Sequence, residues 1–563
     1  MHLSSTLRSQ LASAIAPHAR LPADELLRLL EVPPQPELGD LSLPCFQLAK
    51  SLKKAPQQIA EELSSVVFPP FVQKTETKAG YLNFFFSFPS LAPQILTEAE
   101  KPLWFPQQTS RIMVEFFHAN THKAFHIGHL RNISFAEALN RLLEAAGHRV
   151  YRVNYQGDIG PHVAKAIWAF LHTKKKPPAG PKGRFLAELY TSGHRASDDP
   201  KVKEEIDDIN RKLYASDPTL LKVWKKTRQW SLDDYETFYK EFGVKFDRLY
   251  FESEAEKPGT QLTRQLLKQG ILRLSDGAII ADLEKEGLAK VVLLTGRQTP
   301  TYAAKDLGLA LMEDKEFHPD RIIHVVGAEQ TLYFQQLFSI LSKAFPQIAK
   351  KQFHLAYGLV TLPTGKMSSR EGNVVLYEDL IAQLLAQAEK ITKEKNPKLS
   401  PARLKKIARS VAFAALRYPM VQVSPEKQIV YNPQAAVSLD GNTAPYLQYT
   451  HARACSIMEK GKIKSPPPLP STLPELSPTE TVLLKSILSF PQVVEAAARD
   501  LRPHYLADFV FQLALQFNAF YQSHPVLQAE GPARAFRIHL VQSVRSVLKQ
   551  SLSLLGIDAP EEM

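Results

Sequence analysis

The pattern of hydrophobic and polar positions is clearest between residues 111 and 145. An apolar run at residues 112 to 117 predicts one buried strand. The polar turn that follows contains Asn120 and Thr121, two residue types that commonly cap helices. Apolar residues then recur at helical spacing from residue 130 to residue 139. The predicted order of elements is therefore strand, loop, helix.

The alternation of strand and helix continues further along the chain. A second predicted strand, residues 148 to 154, runs into a glycine-containing turn at residues 157 to 160, which fits a ligand crevice as well as a simple tight turn. Amphipathic helical runs interrupt the pattern between about residues 171 and 290, and strands resume at residues 291 to 294 and 321 to 326. We therefore expect a Rossmann-type parallel sheet that carries a helical insertion.

Different patterns occupy the two ends of the chain. Residues 4 to 16 and 23 to 30 predict helices and residues 80 to 86 predict a strand, so the first unit is an α+β module. Beyond residue 377 the helical period continues to the end of the chain and predicts a separate all-α bundle. The predicted helices of this bundle are residues 379–392, 402–417, 446–460, 480–499, 506–521 and 534–555.

Composition narrows the class of protein. A chain of 563 residues is too long for one hydrophobic core and predicts three or four domains. No apolar run reaches the roughly 18 residues of a membrane span. The formal net charge of +12 favours a polyanionic partner, either nucleic acid or an anionic membrane surface. Cys45 and Cys455 are the only cysteines and lack CxxC spacing, which favours a reducing compartment and argues against structural zinc.

The first candidate for chemistry is the sequence His126-Ile127-Gly128-His129 at the predicted helix start. Residues three apart share a helix face, so both histidines point the same way. Gly128 lets a flat ring or a phosphate approach the backbone, and free N–H groups at a helix N-terminus bind phosphate. Taken alone, the pair is equally compatible with an ordinary capped helix. No cysteine or carboxylate stands at ligand spacing beside it, so we do not predict a metal site.

Two other stretches carry polar side chains next to predicted strands. Tyr302 and Asp306 lie one helical turn apart, and a phenol beside a carboxylate can bind a cation. The segment of residues 365 to 373 is bounded by glycines, and its Lys366 and Arg370 could hold a polyphosphate. Each stretch on its own is as compatible with an exposed helix start or a basic surface turn.

In combination these segments resemble a known family. The tetrad after the first strand and Lys366-Met367-Ser368-Ser369-Arg370 after the last strand resemble the HIGH and KMSKS signatures of class I aminoacyl-tRNA synthetases. The residues from Glu115 to Asn120, and Gly157-Asp158-Ile159-Gly160, resemble the arginyl-tRNA synthetase version. The resemblance extends over nearly the whole chain, through residues 36–40, 80–84, 442–453 and 554–563.

The resemblance implies a reaction and a set of site residues. Arginine and ATP would give arginyl-adenylate, and the arginyl group would then pass to the terminal adenosine of tRNA(Arg). Mg²⁺ would be shared among the ATP phosphates, without zinc. The implied arginine pocket consists of Glu115, Asn120, Glu252 (or Glu254, if the register slips), Tyr302, Asp306 and Gln330. The implied ATP site consists of His126, Gly128, His129, Lys366, Met367 and Ser368. The implied catalytic residues are His126, His129, Lys366 and Lys123, and the division of labour between the two lysines stays open.

The resemblance also implies a domain order, partners and a location. The implied units are residues 1–105, an additional domain that binds the tRNA elbow; 106–170, the first half of the Rossmann domain; 171–290, the insertion; 291–377, the second half with the lysine loop; 378–430, helices that contact the tRNA stem; and 431–563, a helical anticodon-binding domain. The implied partners are tRNA(Arg), L-arginine and ATP, with no membrane. We expect a cytoplasmic monomer.

Three other functions compete with this one. A non-catalytic tRNA-binding paralogue predicts damage to the nucleotide signatures, and these are intact. Another class I synthetase is disfavoured by Gly157-Asp158-Ile159-Gly160, where many such enzymes have a tryptophan, and by the acidic pocket. A small-molecule nucleotidyltransferase leaves the first domain and the helical tail without a task.

Overall fold

The amino-terminal unit is an α+β module, as its pattern predicts. The computed structural model describes residues 2–363, 376–470, 473 and 475–563. The elements of this unit are α1 (Leu3–Ala19), α2 (Ala23–Leu29), β1 (Leu41–Pro44), α3 (Ala49–Leu52), α4 (Pro56–Ser64), β2 (Val72–Lys78), β3 (Tyr81–Phe86) and α5 (Phe88–Ala99). The strands form an antiparallel sheet in the order β1-β3-β2. Phe84 in the central strand and Leu11 in α1 are fully buried, so this unit has a core of its own.

The predicted strand–loop–helix unit follows. Its elements are β4 (Arg111–Glu115), α6 (Ile127–Ala145), β5 (Arg149–Gln156) and α7 (Pro161–His172), and β4 and β5 pair in parallel. The expectation that Asn120 or Thr121 caps the helix is wrong, because α6 begins at Ile127 and His126 is its cap. The polar turn is longer than the pattern suggests, and its residues serve the site described below.

The next segment contains helices and four short strands. Its elements are α8 (Gly183–Ala196), α9 (Pro200–Tyr214), α10 (Pro218–Glu241), β6 (Arg248–Phe251), α11 (Glu252–Lys268), β7 (Arg273–Ser275), β8 (Ala278–Ala281) and β9 (Val291–Leu294). Strand β6 pairs in parallel with β5 and therefore belongs to the Rossmann sheet. The expectation that residues 291–294 rejoin that sheet is wrong, because β9 pairs antiparallel with β8 in a separate sheet of order β7-β8-β9. A short apolar run does not reveal the direction of its partner strand.

The second half of the Rossmann sheet comes next. Its elements are α12 (Tyr302–Phe317), β10 (Arg321–Gly327), α13 (Thr331–Ala344), α14 (Pro346–Ala349), β11 (Gln352–Tyr357) and β12 (Val360–Thr361). The parallel sheet has the order β11-β10-β4-β5-β6, so the chain adds strands first on one side of β4 and then on the other. The switch point lies between β4 and β10. In open α/β sheets the ligand crevice forms there, at the carboxyl ends of the strands.

The carboxyl-terminal part is the predicted helical bundle. Its elements are α15 (Tyr377–Lys395), α16 (Pro401–Val421), β13 (Ile429–Val430), α17 (Pro433–Ala436), α18 (Ala444–Lys460), α19 (Pro478–Arg499), α20 (His504–Ser523) and α21 (Gly531–Leu554). Each predicted helix of the tail corresponds to one of these. In the described part of the chain, α19 alone is long and apolar enough to cross a membrane, but core helices of soluble proteins pass the same test. Helix α19 packs against α20, α21 and α5. Lys485 of α19 also forms a 2.6 Å ion pair with Asp40 of the amino-terminal unit.

Candidate active site

The two histidines at the start of α6 form a reciprocal cap. The backbone N–H of Gly128 donates to Nδ1 of His126 over 3.1 Å, and the backbone N–H of His126 donates to Nδ1 of His129 over 3.2 Å. Burial and the nearby charge of Lys123 lower the pKa of His126 to about 4, and burial lowers the pKa of His129 as well. Both rings are therefore neutral at pH 7. Because each Nδ1 accepts a hydrogen bond, the single ring proton of each histidine is on Nε2, where it can serve an anion.

Next to this cap lies a cavity of about 440 Å³ at the switch point of the sheet. Asn132, just over one turn into α6, holds together the elements that line this cavity. The Asn132 amide donates to the carbonyl of Val325 over 2.7 Å and to the hydroxyl of Tyr357 over 3.1 Å, while its oxygen accepts from the backbone N–H of Phe117. The lining includes Phe117, His118, His126, Gly128, His129, Glu329, Gln330, Tyr357 and Thr361. One buried amide thus joins both halves of the sheet around the crevice.

The loop between β4 and α6 has an unusual backbone. Phe117, His118 and His122 have φ angles of 83°, 49° and 63°, in the left-handed region that side-chain-bearing residues rarely adopt. Each such residue costs on the order of 1–3 kcal/mol and persists only where its surroundings enforce it. At His118 the side chain of Asn154 stabilises the left-handed conformation by accepting the backbone N–H over 3.2 Å. At His122 Thr227 does so through a 2.8 Å side-chain hydrogen bond.

Asn120 and Glu252 meet at Gly157, where the ends of β5 and β6 come together. The Asn120 side-chain oxygen accepts the Gly157 N–H over 3.2 Å. A Cβ on Gly157 would lie 2.3 Å from that oxygen and 3.1 Å from a carboxylate oxygen of Glu252, so only glycine fits. The next residue, Asp158, is fully buried and accepts hydrogen bonds from Ser253 and Arg228. Asp158 therefore anchors this corner, a role its sequence motif did not reveal.

Glu252 is already paired with a cation that the sequence did not indicate. Nζ of Lys305 lies 2.7 Å from the Glu252 carboxylate and donates to the hydroxyl of Tyr214 over 3.2 Å. Lys305 is only 3% exposed and Glu252 only 5%. Burial opposes the charge of Lys305, but Glu252 and Tyr214 together raise its pKa, so the lysine stays charged. Glu252 thus contributes little net charge toward a cationic ligand.

Two other carboxylates form an acidic pocket. Asp306 accepts a hydrogen bond from the hydroxyl of Tyr333, and burial raises the pKa of Asp306 to about 7, with Glu115 adding to the shift. The Glu115 carboxylate at the end of β4 is 3% exposed and lies 3.3 Å from Nδ1 of His324. Burial acts against its charge, but His324 lowers the pKa of Glu115 below its usual range. The pocket thus offers negative charge in a dry environment, which suits a cation.

The remaining predicted residues lie around these two sites. Tyr302, at the first turn of α12, is 58% exposed, and Gln330 is exposed at the rim of the cavity. Nζ of Lys123 lies 5.2 Å from the ring centroid of Tyr190 in the insertion. The predicted ATP-site residues Lys366, Met367 and Ser368 lie outside the described residues. His324, Glu313, Tyr333 and Lys305 were not predicted, since they approach the site only through tertiary contacts.

Comparison with known proteins decides the family. The model of the class I tRNA synthetase (R) catalytic domain matches residues 92–430, that of the arginyl tRNA synthetase N-terminal domain residues 3–86, and that of the DALR anticodon-binding domain residues 447–563. The chain belongs to the arginyl-tRNA synthetase family. The resemblance inferred from the motifs and the expected fold class are confirmed.

Full-length relatives of this arginyl-tRNA synthetase agree. The arginine–tRNA ligase of Treponema pallidum is 33% identical, over 96% of both chains. That of Clostridium beijerinckii is 32% identical, over 99% of this chain and 100% of its own. The solved structure of the Thermus thermophilus arginyl-tRNA synthetase superposes with a TM-score of 0.84 at 29% identity and covers all of both chains. The likeness therefore extends to the arrangement of all the domains.

Proposed function

We propose that this chain activates L-arginine with ATP in the crevice between β4 and β10 and then passes the arginyl group to the 3′-terminal adenosine of tRNA(Arg). Arginine–tRNA ligase activity itself follows from the family and from the full-length relatives, and the activity expected from the sequence is confirmed. The observation that supports the location is that the cap of α6 and the acidic pocket flank the same strand end. A nucleotide and a cationic amino acid can therefore lie side by side.

The nucleotide side of the crevice suits ATP. The Nε2–H groups of His126 and His129 and the free N–H groups of the α6 N-terminus can donate to phosphate oxygens. Gly128 keeps the backbone open to the nucleotide. On the basis of the sequence, Lys366 in the KMSKS-type loop supplies a cation for the phosphates, with Met367 and Ser368 beside it. Mg²⁺, when bound with ATP, would be held by the phosphates themselves and would neutralise part of their charge.

The acidic side suits arginine. A guanidinium is planar, permanently charged and carries five N–H donors, so it needs carboxylates and other acceptors around it. We assign Asp306 and Glu115 to the guanidinium, with Tyr302 and Gln330 at the rim. Asn120 lies on the loop that joins this pocket to the ATP site and is held against Glu252 across Gly157. That position is intermediate between guanidinium and phosphates, where the arginine backbone must lie.

The activation step needs no general base. The α-carboxylate of arginine is already ionised and attacks the α-phosphorus of ATP, so an oxygen–phosphorus bond forms while the bond to pyrophosphate breaks. The protein contributes position and charge stabilisation. Neutral histidines suit this task because they donate hydrogen bonds to the phosphates without titrating near pH 7. Lys123 and Lys366 are the two candidates for the cation that stabilises the transition state.

We propose that the two ends of the chain hold the tRNA. The amino-terminal unit would contact the elbow and the carboxyl-terminal bundle the anticodon, in agreement with the family models that match there. The expected boundaries at residues 105, 170, 290, 377 and 430 are part of this proposal. The net charge of +12 supports binding to a polyanion. We propose a monomer that works in the cytoplasm.

An amino-acid-resolved charging assay tests the function. The full chain is incubated with total tRNA, ATP, Mg²⁺ and each of the twenty amino acids in turn, and acylated tRNA is measured. We expect charging with arginine alone. Comparable charging with any other amino acid would refute the pocket assignment, and no charging at all, with intact ATP binding, would favour a non-catalytic tRNA-binding paralogue.

A further inference from the structure

Behind the Glu115 carboxylate lies a cluster of buried titratable groups that the reaction itself does not use. Glu115 and His324 are direct neighbours on the adjacent parallel strands β4 and β10. His324 is 5% exposed, and Glu313 of α12 is fully buried. Among the described residues, no hydrogen-bond partner lies against either carboxylate oxygen of Glu313, the second oxygen of Glu115 or Nδ1 of His324. Since buried polar groups are normally paired, this concentration of unpartnered atoms indicates a site at which the protonation of these groups serves a function.

The surroundings of His324 favour its charged form. Its Nδ1 lies 3.3 Å from a Glu115 oxygen and its Nε2 lies 2.6 Å from the side-chain oxygen of Gln352. Both oxygens are acceptors, and an imidazolium carries an N–H on each ring nitrogen, although Nδ1 makes an ion-pair contact with Glu115 and not a hydrogen bond. Burial opposes the charge, but Glu115 and Gln352 together raise the pKa of His324 above its ordinary value. The position of the ring therefore favours an imidazolium beside Glu115.

Other groups near His324 do not replace this charge. The neighbouring titratable groups are His118 in the loop after β4, Asp306 and Glu313 in α12, Tyr333 in α13, and His354 in β11. Burial lowers the pKa of His118 and His354, which are therefore neutral at pH 7. Burial and Glu115 raise the pKa of Glu313, which therefore keeps its proton. In the described part of the chain, no ion pair joins Glu115, Asp306 or Glu313 to a lysine or arginine.

We propose that His324 is a positioning residue of the arginine pocket: as an imidazolium it pairs with Glu115 before substrate binds, and it loses one proton when the guanidinium of L-arginine becomes the counter-cation of Glu115. The Glu115 carboxylate is the acceptor for the guanidinium. This inference rests on the assignment of Glu115 to arginine made above.

The proton that leaves is the one on Nε2. The N–H bond at Nε2 breaks and the proton passes to buffer, while the N–H at Nδ1 continues to face Glu115. Gln352 can serve both states, because its side-chain oxygen accepts from the charged ring and its amide group can rotate to donate to the neutral Nε2. The amide nitrogen of Gln352 has no hydrogen-bond partner among the described residues, so its rotation toward Nε2 breaks no other hydrogen bond of that nitrogen. A pocket that carries its own counter-cation avoids leaving Glu115 buried and unpaired before substrate arrives.

The sign of the effect follows from linkage. A binding step that releases a proton weakens as pH falls, by up to about tenfold per pH unit for each proton released. Asp306, whose pKa is raised to about 7, also releases protons when arginine arrives. The contribution of His324 must therefore be read as the difference between wild type and a variant that cannot titrate at this position.

Calorimetry on the full chain with bound tRNA measures this difference. L-Arginine is titrated at pH 7 in buffers of different ionisation enthalpy, and the slope gives the protons released. We compare wild type, His324→Gln, and the control His148→Gln, which changes a histidine bonded to Ser110 at the opposite end of the sheet. Wild type and control should release the same number of protons, and His324→Gln fewer, by up to about one. An unchanged proton count in His324→Gln overturns the proposal, even if its arginine KM rises, because that pattern indicates a merely structural histidine.

A second measurement covers the case in which His324→Gln folds poorly. In wild type, the proton NMR resonance of the His324 ring should move toward the neutral position on addition of L-arginine, and Gln352→Leu, which removes the acceptor at Nε2, should move it that way without arginine. A resonance that stays at one position in both experiments overturns the proposal. If arginine binds to neither wild type nor control, the assignment of the pocket to arginine fails instead.

Discussion

Replacement of Asp306 by asparagine is the most direct test of the arginine pocket. The change keeps the shape of the side chain and the acceptor for the Tyr333 hydroxyl but removes the charge that faces the guanidinium. Loss of one member of a buried, hydrogen-bonded charge pair costs about 2–5 kcal/mol. The pKa of Asp306 is raised to about 7, so wild type must first ionise a carboxyl that is half protonated at pH 7. This ionisation reduces the difference in binding free energy between wild type and variant by about 0.4 kcal/mol. The remaining free energy of about 1.6–4.6 kcal/mol corresponds to a rise of about 15- to 2000-fold in the KM for arginine.

The assay is arginine-dependent charging with ATP and arginine varied separately. The KM for ATP should change by less than about threefold, because Asp306 lies on the side of the crevice away from the α6 cap. Asp314→Asn is the matched control, since Asp314 lies two turns further along α12 and pairs with Lys351 at the surface. Equal losses for arginine and ATP, or an arginine KM within about threefold of wild type, would remove Asp306 from the guanidinium site.

The same substitution, which should weaken arginine binding, should stabilise the fold. The folded-state pKa of Asp306 is raised above its unfolded value of 3.8, so its stabilising effect is complete below about pH 4 and is lost progressively as pH rises to about 7. The amide of the asparagine variant cannot ionise and escapes that loss. Thermal unfolding should therefore show Asp306→Asn gaining stability over wild type at pH 8 and little difference at pH 4. A constant difference between the two pH values would show that burial does not govern this carboxyl.

Three further predictions concern the cap, the buried ion pair and the catalytic cation. Gly128→Ala places a Cβ 3.0 Å from the ring of the capping histidine, so pyrophosphate exchange should slow at least about tenfold while thermal stability hardly changes. Lys305→Met leaves Glu252 buried and unpaired and should destabilise the fold by about 3–5 kcal/mol in urea unfolding, with Glu252→Gln restoring much of it in the double variant. Lys366→Ala should slow adenylate formation by about one to three orders of magnitude; an effect within about twofold, with a large loss in Lys123→Ala, moves the role to Lys123.

The sequence pattern predicted most helices and the first strands, because long amphipathic periods and solid apolar runs survive in any tertiary context. The sequence pattern did not predict strand β6, because it has only four residues and its first two, Arg248 and Leu249, are only half buried. Strand β9 was placed in the wrong sheet because strand direction is set by partners that the run does not specify. The long helices were thus readable from the sequence, and the pairing of short strands was not.

The site residues also divide into those that the sequence indicated and those that it did not. Glu115, Asp306 and the histidine tetrad were recognisable because their motifs are local in sequence. Their electrostatic partners were not, because Lys305 stands 53 residues from Glu252 and His324 meets Glu115 only through the pairing of β10 with β4. Those partners change the chemistry, because Lys305 neutralises Glu252 and His324 favours the ionised form of Glu115. Sequence motifs therefore indicated the carboxylates that we propose for the pocket, and only the fold shows their charge.

The insertion takes part in the active site through the strained loop between β4 and α6. Three side chains of helix α10 form hydrogen bonds with that loop: the Tyr235 hydroxyl donates to the carbonyl of Asn120 over 2.7 Å, Ser231 accepts the backbone N–H of His122 over 2.9 Å, and Thr227 bonds to the ring of the same histidine. Left-handed residues hold their conformation only where contacts outweigh the local cost, on the order of 1–3 kcal/mol each. Helix α10 supplies those contacts, and the same loop carries Asn120 and leads into the capping histidine. We therefore expect a movement of α10 to shift Asn120 and the capping histidine together, without direct contact between α10 and either substrate.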